Sequence, residues 1–296
     1  MPKVSAIIIT YNRPVEILAR AILSVINQTY KDIEILIVND APENTELSAQ
    51  IKSMIKTFGD DRISYLSYEK NQGSNYARNY GLNHCKGEFV AFLDDDDEWL
   101  PEKTKKQLDC FSDNPNIAIV YSGFLSIGEE IQSEKKPYHI KKSCIEEILA
   151  DNFIGSTSFP MMRTECVKKV GGFDVAQKAC QEHDLWIRLI EKYELACLEG
   201  VYGKYYLSKD STFKSKQKFY DATLRIEEKH KLLYQQYPKA HHKMIINVMI
   251  AMIKASNYKL AFLCKIRAWK VDFFNLDNIL PVMLIRRKIK RLSRVK

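Results

Sequence analysis

The chain has 296 residues, of which 46% are hydrophobic and 28% charged, a composition typical of a globular protein with an ample core. Its longest strongly apolar stretch, Met244–Ile253, is about half as long as a membrane-spanning helix, and the N-terminus lacks the layout of a signal peptide. The seven cysteines form no CxxC pair, which favours buried thiols in a reducing cytoplasm over a disulfide framework.

The first third of the chain alternates strand and helix patterns. Residues 3–9 predict a strand, and apolar residues at helical spacing predict a helix over Val15–Ile26, just after Pro14. Further strands are predicted at 33–38, 63–66 and 89–93, with helices at 43–58 and 74–85 and another opened by Pro101. This order predicts an α/β fold with a mostly parallel sheet covered by helices.

The remaining two thirds carry weaker patterns. Between about 117 and 210 the clearest element is a predicted helix at 184–193, and from about 214 the chain becomes helical and basic. We therefore expect a first domain at 1–210 and a helical, basic region at 211–296.

The net charge of +8 is concentrated at the C-terminus, where residues 286–296 contain seven basic residues and no acidic one. The segment 284–296 suits an amphipathic helix on an anionic membrane, and it equally suits a solvated terminal helix or a contact between subunits. Nucleic-acid binding is disfavoured because no recognition motif accompanies the charge.

Polar clusters follow three of the predicted strands, at Thr10–Arg13, Asn39–Asp40 and Asp94–Asp97. Ligands of open α/β sheets bind beyond the carboxyl ends of the strands, so these clusters are expected to converge on one crevice. The chain has no GxGxxG after its first strand and no GxxxxGK[ST], which disfavours the ordinary dinucleotide and P-loop sites.

Four consecutive aspartates end the strand at 89–93. On an extended segment Asp94 and Asp96 would point to one side and Asp95 and Asp97 to the other. Two carboxylates on one side can hold Mg²⁺ or Mn²⁺ together with substrate phosphates. The run alone also fits a solvated helix start, and both interpretations remain open on these residues.

Six segments, in order, resemble the signatures of family-2 glycosyltransferases with the GT-A fold: VSAIIITYNR, ILIVNDA, GSNYARNYGL, GEFVAFLDDDDEWLP, GGFD and QEHDLWIRL. The resemblance covers about residues 3–210. It implies a Rossmann-like mixed sheet flanked by helices, here with a C-terminal helical extension. It also implies a nucleotide-diphosphate sugar at the carboxyl ends of the early strands, a metal held by an aspartate and a later acidic base.

The resemblance assigns the nucleotide-sugar site to Thr10, Tyr11, Arg13, Asp40, Arg78, Asn79, Asp94 and Asp95, and the Mn²⁺ or Mg²⁺ ion to Asp96. Asp40 is expected to accept a hydrogen bond from a ring N–H of the base. Structural alternatives stand beside these roles: Tyr11 can cover the sheet end, Asp40 can cap a helix, and Arg78 can form a surface ion pair.

The segment QEHDLWIR aligns with the family's EDxDLWLR pattern and places Glu182 at the position of the general base, where an aspartate is usual. Asp184 is the second candidate base, although its place also suits helix capping. The family's downstream histidine is missing from residues 205–216. Ser208, Lys209, Lys214 and Lys216 could contact the diphosphate instead, with the metal held mainly by the nucleotide.

The resemblance thus implies an inverting, metal-assisted transfer from a nucleotide-diphosphate sugar, expected to be a UDP-sugar, to a hydroxyl of a glycan, lipid-linked or glycoprotein acceptor. We expect a cytoplasmic protein whose basic tail could reach the inner face of the membrane and whose C-terminal helices could form a homo-oligomer. The alternative is a catalytically weak scaffold subunit that binds the sugar nucleotide, an alternative suggested by Glu182 and the missing histidine. A nucleotidyltransferase is disfavoured because its glycine-rich basic loop is absent.

Overall fold

The computed structural model describes residues 3–111, 114–128, 132–140, 144–207 and 216–272. Its strands are Val4–Thr10 (β1), Ile33–Asn39 (β2), Ile63–Ser67 (β3), Phe89–Asp94 (β4), Glu98–Trp99 (β5), Ile117–Ile127 (β6), Gln132–Lys135 (β7), Met161–Arg163 (β8) and Glu194–Tyr206 (β9). Its helices are Val15–Ile26 (α1), Thr45–Phe58 (α2), Ser74–His84 (α3), Lys103–Phe111 (α4), Cys144–Ala150 (α5), Thr164–Lys169 (α6), Gln181–Ile190 (α7), Lys216–Lys229 (α8), Lys231–Gln236 (α9), Pro238–Lys254 (α10) and Tyr258–Val271 (α11).

The chain divides into two compact units. The first contains residues 1–139, 153–176 and 181–209, and the second contains 140–152, 177–180 and 210–296. The second unit is therefore discontinuous in sequence, whereas the sequence patterns predicted a single boundary near residue 210. The basic tail and the predicted phosphate contacts Ser208, Lys209 and Lys214 lie outside the described residues.

In the first unit the described strands form one mixed sheet in the order β3-β2-β1-β4-β8-β6-β9-β5, with β7 paired to β6. The strands β3, β2, β1 and β4 are parallel to one another, as their alternation with helices predicts. The short strand β8 is antiparallel to both β4 and β6, and it joins the parallel half to the remaining strands. The sheet is thus mixed, in agreement with the fold that the motifs imply.

The parallel half is buried on both faces, because β1, β2 and β4 consist almost entirely of apolar residues without alternation. Helix α1 packs Leu18, Ala21, Ile22 and Val25 against one face, and all four are fully buried. On the other face Gly81 allows α3 to approach closely, since a Cβ at that position would lie 2.6 Å from Ile7 Cγ2.

Helix α7 is anchored by a buried ion pair. Asp184 is fully buried, and its Oδ2 accepts hydrogen bonds from Arg188 Nε at 3.0 Å and Nη2 at 2.8 Å. Arg188 also donates to the carbonyls of Val170 at 2.5 Å and Gly172 at 2.7 Å. Because α7 begins at Gln181, Asp184 lies inside its first turn and is not the capping residue, so the capping interpretation is wrong.

The second unit is helical in its described part. Helix α10 packs against α11 and α5, and two side chains, one on α9 and one on α10, bind the end of α5 within this unit. Tyr234 Oη donates to the carbonyl of Leu149 at 3.1 Å, and Asn247 Nδ2 donates to that of Ala150 at 3.1 Å. A search of the described helices finds none with the length and apolar character needed to cross a membrane.

We predict that Asp184→Asn lowers the free energy of unfolding by about 3 kcal/mol, as expected when one partner of a buried ion pair is removed. Urea denaturation would measure the change. The matched control is Glu165→Gln, which breaks the exposed i,i+4 pair with Lys169 and should leave the midpoint unchanged. Equal midpoints for both variants would contradict an anchoring role for Asp184.

Candidate functional site

The carboxyl ends of three neighbouring strands meet at one edge of the sheet. Thr10 is paired with Asn39 across β1 and β2, and Ile9 is paired with Asp94 across β1 and β4. The backbone N–H of Asp40 donates to the carbonyl of Thr10 at 2.8 Å. The polar clusters that the sequence places after these strands are therefore adjacent, as predicted for ligand binding at the ends of parallel strands.

Asp40 is held rigidly by one of its two carboxylate oxygens. Oδ1 accepts three hydrogen bonds, from Tyr68 Oη at 2.5 Å and from the backbone N–H groups of Gln72 at 3.0 Å and Gly73 at 3.2 Å. Burial and the bond to Asp40 raise the pKa of Tyr68, so this hydroxyl remains a donor. Oδ2 has no donor among the residues that the structure describes and can accept one from a ligand.

The four aspartates form a turn, so the predicted alternation of their side chains is wrong. β4 ends at Asp94, and the N–H of Asp97 donates to the carbonyl of Asp94 at 3.1 Å. The turn places neighbouring carboxylates within reach of a single guanidinium. Arg13 donates through Nε to Asp95 at 2.9 Å and through Nη2 to Asp96 at 3.0 Å.

Burial raises the pKa values of three carboxylates in this turn, those of Asp95, Asp96 and Asp97. The pKa of Asp95 is raised to about 6, mainly by burial and against the opposing effect of Arg13. The pKa of Asp96 is raised for the same reason, and burial together with the charge of Asp94 raises that of Asp97 well above its usual range. A bound cation would offset the cost of ionising these groups together.

Arg78 has unsatisfied hydrogen-bonding capacity. It is buried on α3, and its Nη2 donates to Asp94 Oδ1 at 2.8 Å. Its Nε and Nη1 are buried and have no hydrogen-bond partner in the described part of the chain. Unsatisfied buried donors are costly, and the oxygens of a phosphate are the acceptors that a forked guanidinium fits best. A surface ion pair, the structural alternative for Arg78, does not describe this environment.

Asn79 is turned away from this cluster and binds backbone. Its Nδ2 donates to the carbonyl of Phe173 at 2.7 Å, and its Oδ1 accepts from the N–H of Phe173 at 2.8 Å. Gly172 fits against the same amide, because a Cβ there would lie 2.5 Å from Asn79 Oδ1. The assignment of Asn79 to the nucleotide sugar is therefore corrected to a structural role that connects α3 to the GGFD segment.

Glu182 lies in the first turn of α7, close enough to Arg78 and Asp94 for their charges to influence it. Burial raises its pKa, Arg78 lowers it and Asp94 raises it. Asp184, the second candidate base, has its carboxylate in the buried ion pair with Arg188 and is corrected to an anchoring residue. The two acidic residues of QEHD therefore have different surroundings: Asp184 is paired with Arg188, whereas Glu182 is influenced by the charges of Arg78 and Asp94.

Tyr11 and Thr10 differ in accessibility. Thr10 is buried at the end of β1, whereas the Tyr11 side chain is 57% exposed and is followed by Asn12 in the left-handed region at φ 49°. An exposed aromatic ring that directly follows β1 is available to cover a ligand.

Several residues around the aspartates were not predicted. Ser158 Oγ donates to Asp97 Oδ2 at 2.5 Å, Thr157 Oγ1 lies 3.4 Å from Asp94 Oδ1, and the N–H of Tyr206 donates to Asp97 Oδ1 at 3.2 Å. Arg20 donates to the carbonyl of Asp96 at 2.6 Å. The hydroxyl-rich stretch GSTS was the available signal for the 156–158 contacts, but nothing local indicated Arg20 or Tyr206.

The aspartate turn can hold a hard cation with few protein ligands. Among the described residues, one trio of His, Cys, Asp or Glu side chains has its ligand atoms within 4.8 Å of one another: His139, Cys197 and Glu199, outside this cluster. An ion at the turn would therefore take one or two carboxylates, from Asp94 and Asp96, and complete its shell with substrate oxygens. The donor set is all oxygen, which fits Mg²⁺ and Mn²⁺.

The chain is similar to known glycosyltransferases. The sequence model of Glycosyl transferase family 2 matches residues 5–171. An uncharacterized glycosyltransferase of Methanocaldococcus jannaschii is 32% identical over 237 residues, which are 78% of this chain and 81% of that protein. The GalNAc(5)-diNAcBac-PP-undecaprenol beta-1,3-glucosyltransferase of Campylobacter jejuni is 46% identical over 101 residues, which are 34% of this chain and 31% of that protein.

Among solved structures, the mannosyltransferase PcManGT of Pyrobaculum calidifontis, in complex with GDP-Man and Mn²⁺, superposes with a TM-score of 0.65 at 15% identity. The match covers 99% of this chain and 82% of that protein. At this identity it supports the fold alone, which is GT-A. The family match spans more than half of the chain and includes all but the first residue of β1, the whole aspartate turn and Gly171 of the GGFD segment, and we conclude that this protein belongs to glycosyltransferase family 2.

Proposed function

We propose that the protein transfers a sugar, with inversion, from a UDP-sugar to a hydroxyl of a glycan, lipid-linked or glycoprotein acceptor. One observation carries this proposal: a partly buried glutamate, a buried arginine with free donors and an aspartate at the end of β4 influence one another electrostatically. These are Glu182, Arg78 and Asp94. They supply a base, a phosphate ligand and a metal or sugar contact within a single cluster.

The nucleotide base is proposed to bind at Asp40. Three protein donors occupy Oδ1, which leaves Oδ2 as a single well-oriented acceptor. Uracil presents one ring N–H, whereas guanine presents a ring N–H and an amino group side by side and is best matched by both oxygens of a carboxylate. This asymmetry favours uridine. Tyr11 would cover the nucleotide from the solvent side.

The diphosphate is proposed to satisfy the free Nε and Nη1 of Arg78. Asp96 and Asp94 would hold the divalent ion, and Asp95 would stay paired with Arg13 and keep the turn in place. The ion would neutralise charge on the departing diphosphate. Asp96 can do this while bound to Arg13, because that contact uses only one of its oxygens.

In the proposed reaction, Glu182 accepts the proton of the acceptor hydroxyl as that oxygen bonds to the anomeric carbon. The bond from that carbon to the diphosphate oxygen breaks, and the nucleoside diphosphate leaves with the electron pair. One displacement inverts the configuration. A raised pKa makes the ionised Glu182 a stronger base than an ordinary glutamate.

In the scaffold alternative, Glu182, Arg78 and Asp94 are present but the protein binds the sugar nucleotide without transferring the sugar. The departure from the usual aspartate at Glu182 suggested it, but the charges of Arg78 and Asp94 both act on this carboxylate, which supports its role as a base. We therefore favour an active enzyme.

The first test is a screen of UDP- and GDP-sugars for release of the nucleoside diphosphate, with and without saccharide acceptors. We expect release, even as slow hydrolysis without acceptor, from at least one UDP-sugar. GDP-sugars belong in the screen because the Pyrobaculum structure holds GDP-Man. Binding without turnover across the screen would favour the scaffold, and turnover of GDP-sugars alone would contradict the role of Asp40.

We predict that Glu182→Gln lowers turnover by about 10²–10⁴-fold, the usual contribution of a general base, and leaves donor affinity unchanged. Because the pKa of Glu182 is raised, wild-type activity should fall with decreasing pH from above the usual glutamate range, as the base is protonated. The variant should lose this acid limb. The control is Glu191→Gln, at an exposed glutamate just after the same helix, which should behave as the wild type. A full-activity Glu182→Gln enzyme would exclude this base.

We also predict that Asp96→Ala abolishes transfer and makes donor affinity insensitive to metal chelation. In the wild type, chelation should weaken UDP-sugar binding, measured by calorimetry. The matched variant Asp109→Ala, at an exposed aspartate on α4, should keep the metal dependence. Near-normal activity of Asp96→Ala in the presence of chelator would show that Asp96 holds no essential ion.

A further inference from the structure

Helix α11 has two apolar faces, and only one of them is buried. The first contains Leu260, Ala261, Cys264 and Ala268, which are buried where α11 packs on α10. The second contains Tyr258, Phe262, Ile266 and Trp269, which follow one another by four, four and three residues and so share a stripe on the helix surface. We call this second set the α11 stripe.

The α11 stripe is exposed to solvent. Phe262 is 62% exposed, Trp269 42%, Tyr258 41% and Ile266 36%, and the neighbouring Leu263 is 39% exposed. Single exposed apolar residues are common, but a contiguous row of large ones marks a surface that binds something. None of these residues takes part in the glycosyltransferase site described above.

The charge around the α11 stripe identifies the kind of partner. Residues 238–271, which contain α10 and α11, include seven lysines and arginines and no aspartate or glutamate. At 100° per residue, Lys259 and Lys270 lie along one edge of the stripe and Lys265 along the other. Lys265 Nζ lies 4.7 Å from the centre of the Trp269 ring. The surface is thus an apolar row between two basic borders.

We propose that the α11 stripe docks on an anionic lipid surface, with α11 lying in the plane of the interface. Aromatic rings suit the depth of the headgroups, and lysines at the borders can extend towards lipid phosphates while their stems cover apolar surface. With 14 residues, α11 is too short to span a bilayer, so it would lie on it.

Charge disfavours two other candidate occupants, a second copy of the chain and its basic C-terminal segment. A second copy docking by the same face would bring the three border lysines against their own equivalents. The basic segment 286–296 would bring seven further cations to the same place. An anionic membrane is the partner that matches both the apolar row and its borders. This inference does not depend on the proposed donor or base.

The test uses the full-length protein with vesicles of phosphatidylcholine alone or mixed with phosphatidylglycerol. Of the three tryptophans, Trp99 and Trp186 are buried, so acrylamide quenching reports on Trp269. We expect the mixed vesicles, but not the neutral ones, to protect Trp269 from quenching and to sediment the protein, less so at high salt. If acrylamide quenches Trp269 equally with and without the mixed vesicles, the proposal is overturned by the wild-type protein alone.

The variant arm replaces two stripe residues, Phe262→Ser with Trp269→Ser. Each substitution removes a large apolar side chain that would be buried in the lipid, so the affinity for the mixed vesicles should fall by about tenfold or more. Leu232→Ser is the matched control, since Leu232 is 81% exposed on α9 in the same unit. This variant should bind the mixed vesicles as well as the wild type does. Wild-type sedimentation of the double variant would overturn the proposal.

Two further measurements identify a wrong occupant. If the wild-type protein has the mass of a dimer without lipid and the double variant has the mass of a monomer, the α11 stripe binds a second copy of the chain. If deletion of residues 286–296 makes Trp269 much more accessible to acrylamide in the absence of lipid, the α11 stripe is covered by that segment. Either result overturns docking on lipid.

Discussion

The site depends on the pairing of arginine with aspartate at the carboxyl edge of the sheet. Four adjacent carboxylates that follow a buried strand repel one another and lose hydration, and the raised pKa values of Asp95, Asp96 and Asp97 express this cost. Arg13 spans Asp95 and Asp96, and Arg78 holds Asp94. These guanidiniums offset the negative charge of the turn, and two buried donors of Arg78, Nε and Nη1, are available to the proposed diphosphate.

The sequence predicted the parallel half of the fold well, because its signals are local. Val15–Ile26 shows helical spacing, and the bounds of α1 agree to the residue. The strand at 33–38 and the helix at 74–85 each differ from the structure by one residue at one end. The convergence of polar residues also followed from a local rule, that parallel strands end at the same edge.

The second half of the sheet could not be predicted in the same way. β6 pairs with β9, which is more than seventy positions further along the chain, with register shifts that break its alternation at Gly123. β8 has only three residues, and its place between β4 and β6 is set by tertiary pairing. The turn of the aspartates has the same origin, since Arg13, Arg20 and Ser158 reach it from distant parts of the chain.

Local patterns also misassigned two side chains for a common reason. Asn79 and Asp184 belong to motifs with functional residues, yet each is turned away from them by the helix on which it lies. Arg78 and Asn79 are successive residues of α3, about 100° apart around the axis, so when one faces the strand ends the other faces the GGFD backbone. Glu182 and Asp184 are two residues apart on α7, about 200° around the axis, which places them on nearly opposite sides.

That separation bears on the departure from the family's usual aspartate. Burial raises the pKa of Glu182, a backbone hydrogen bond of its own residue lowers it, and the opposing charges of Arg78 on α3 and Asp94 on β4 act on it from other elements. An extra methylene changes the reach of the carboxylate, but it leaves this field in place. Because Arg78 and Asp94 are also the proposed contacts to the donor, recognition of the diphosphate and the basicity of Glu182 are coupled through the same two side chains. We therefore expect the identity of the carboxylic acid to constrain the proposed site less than the position of that pair does.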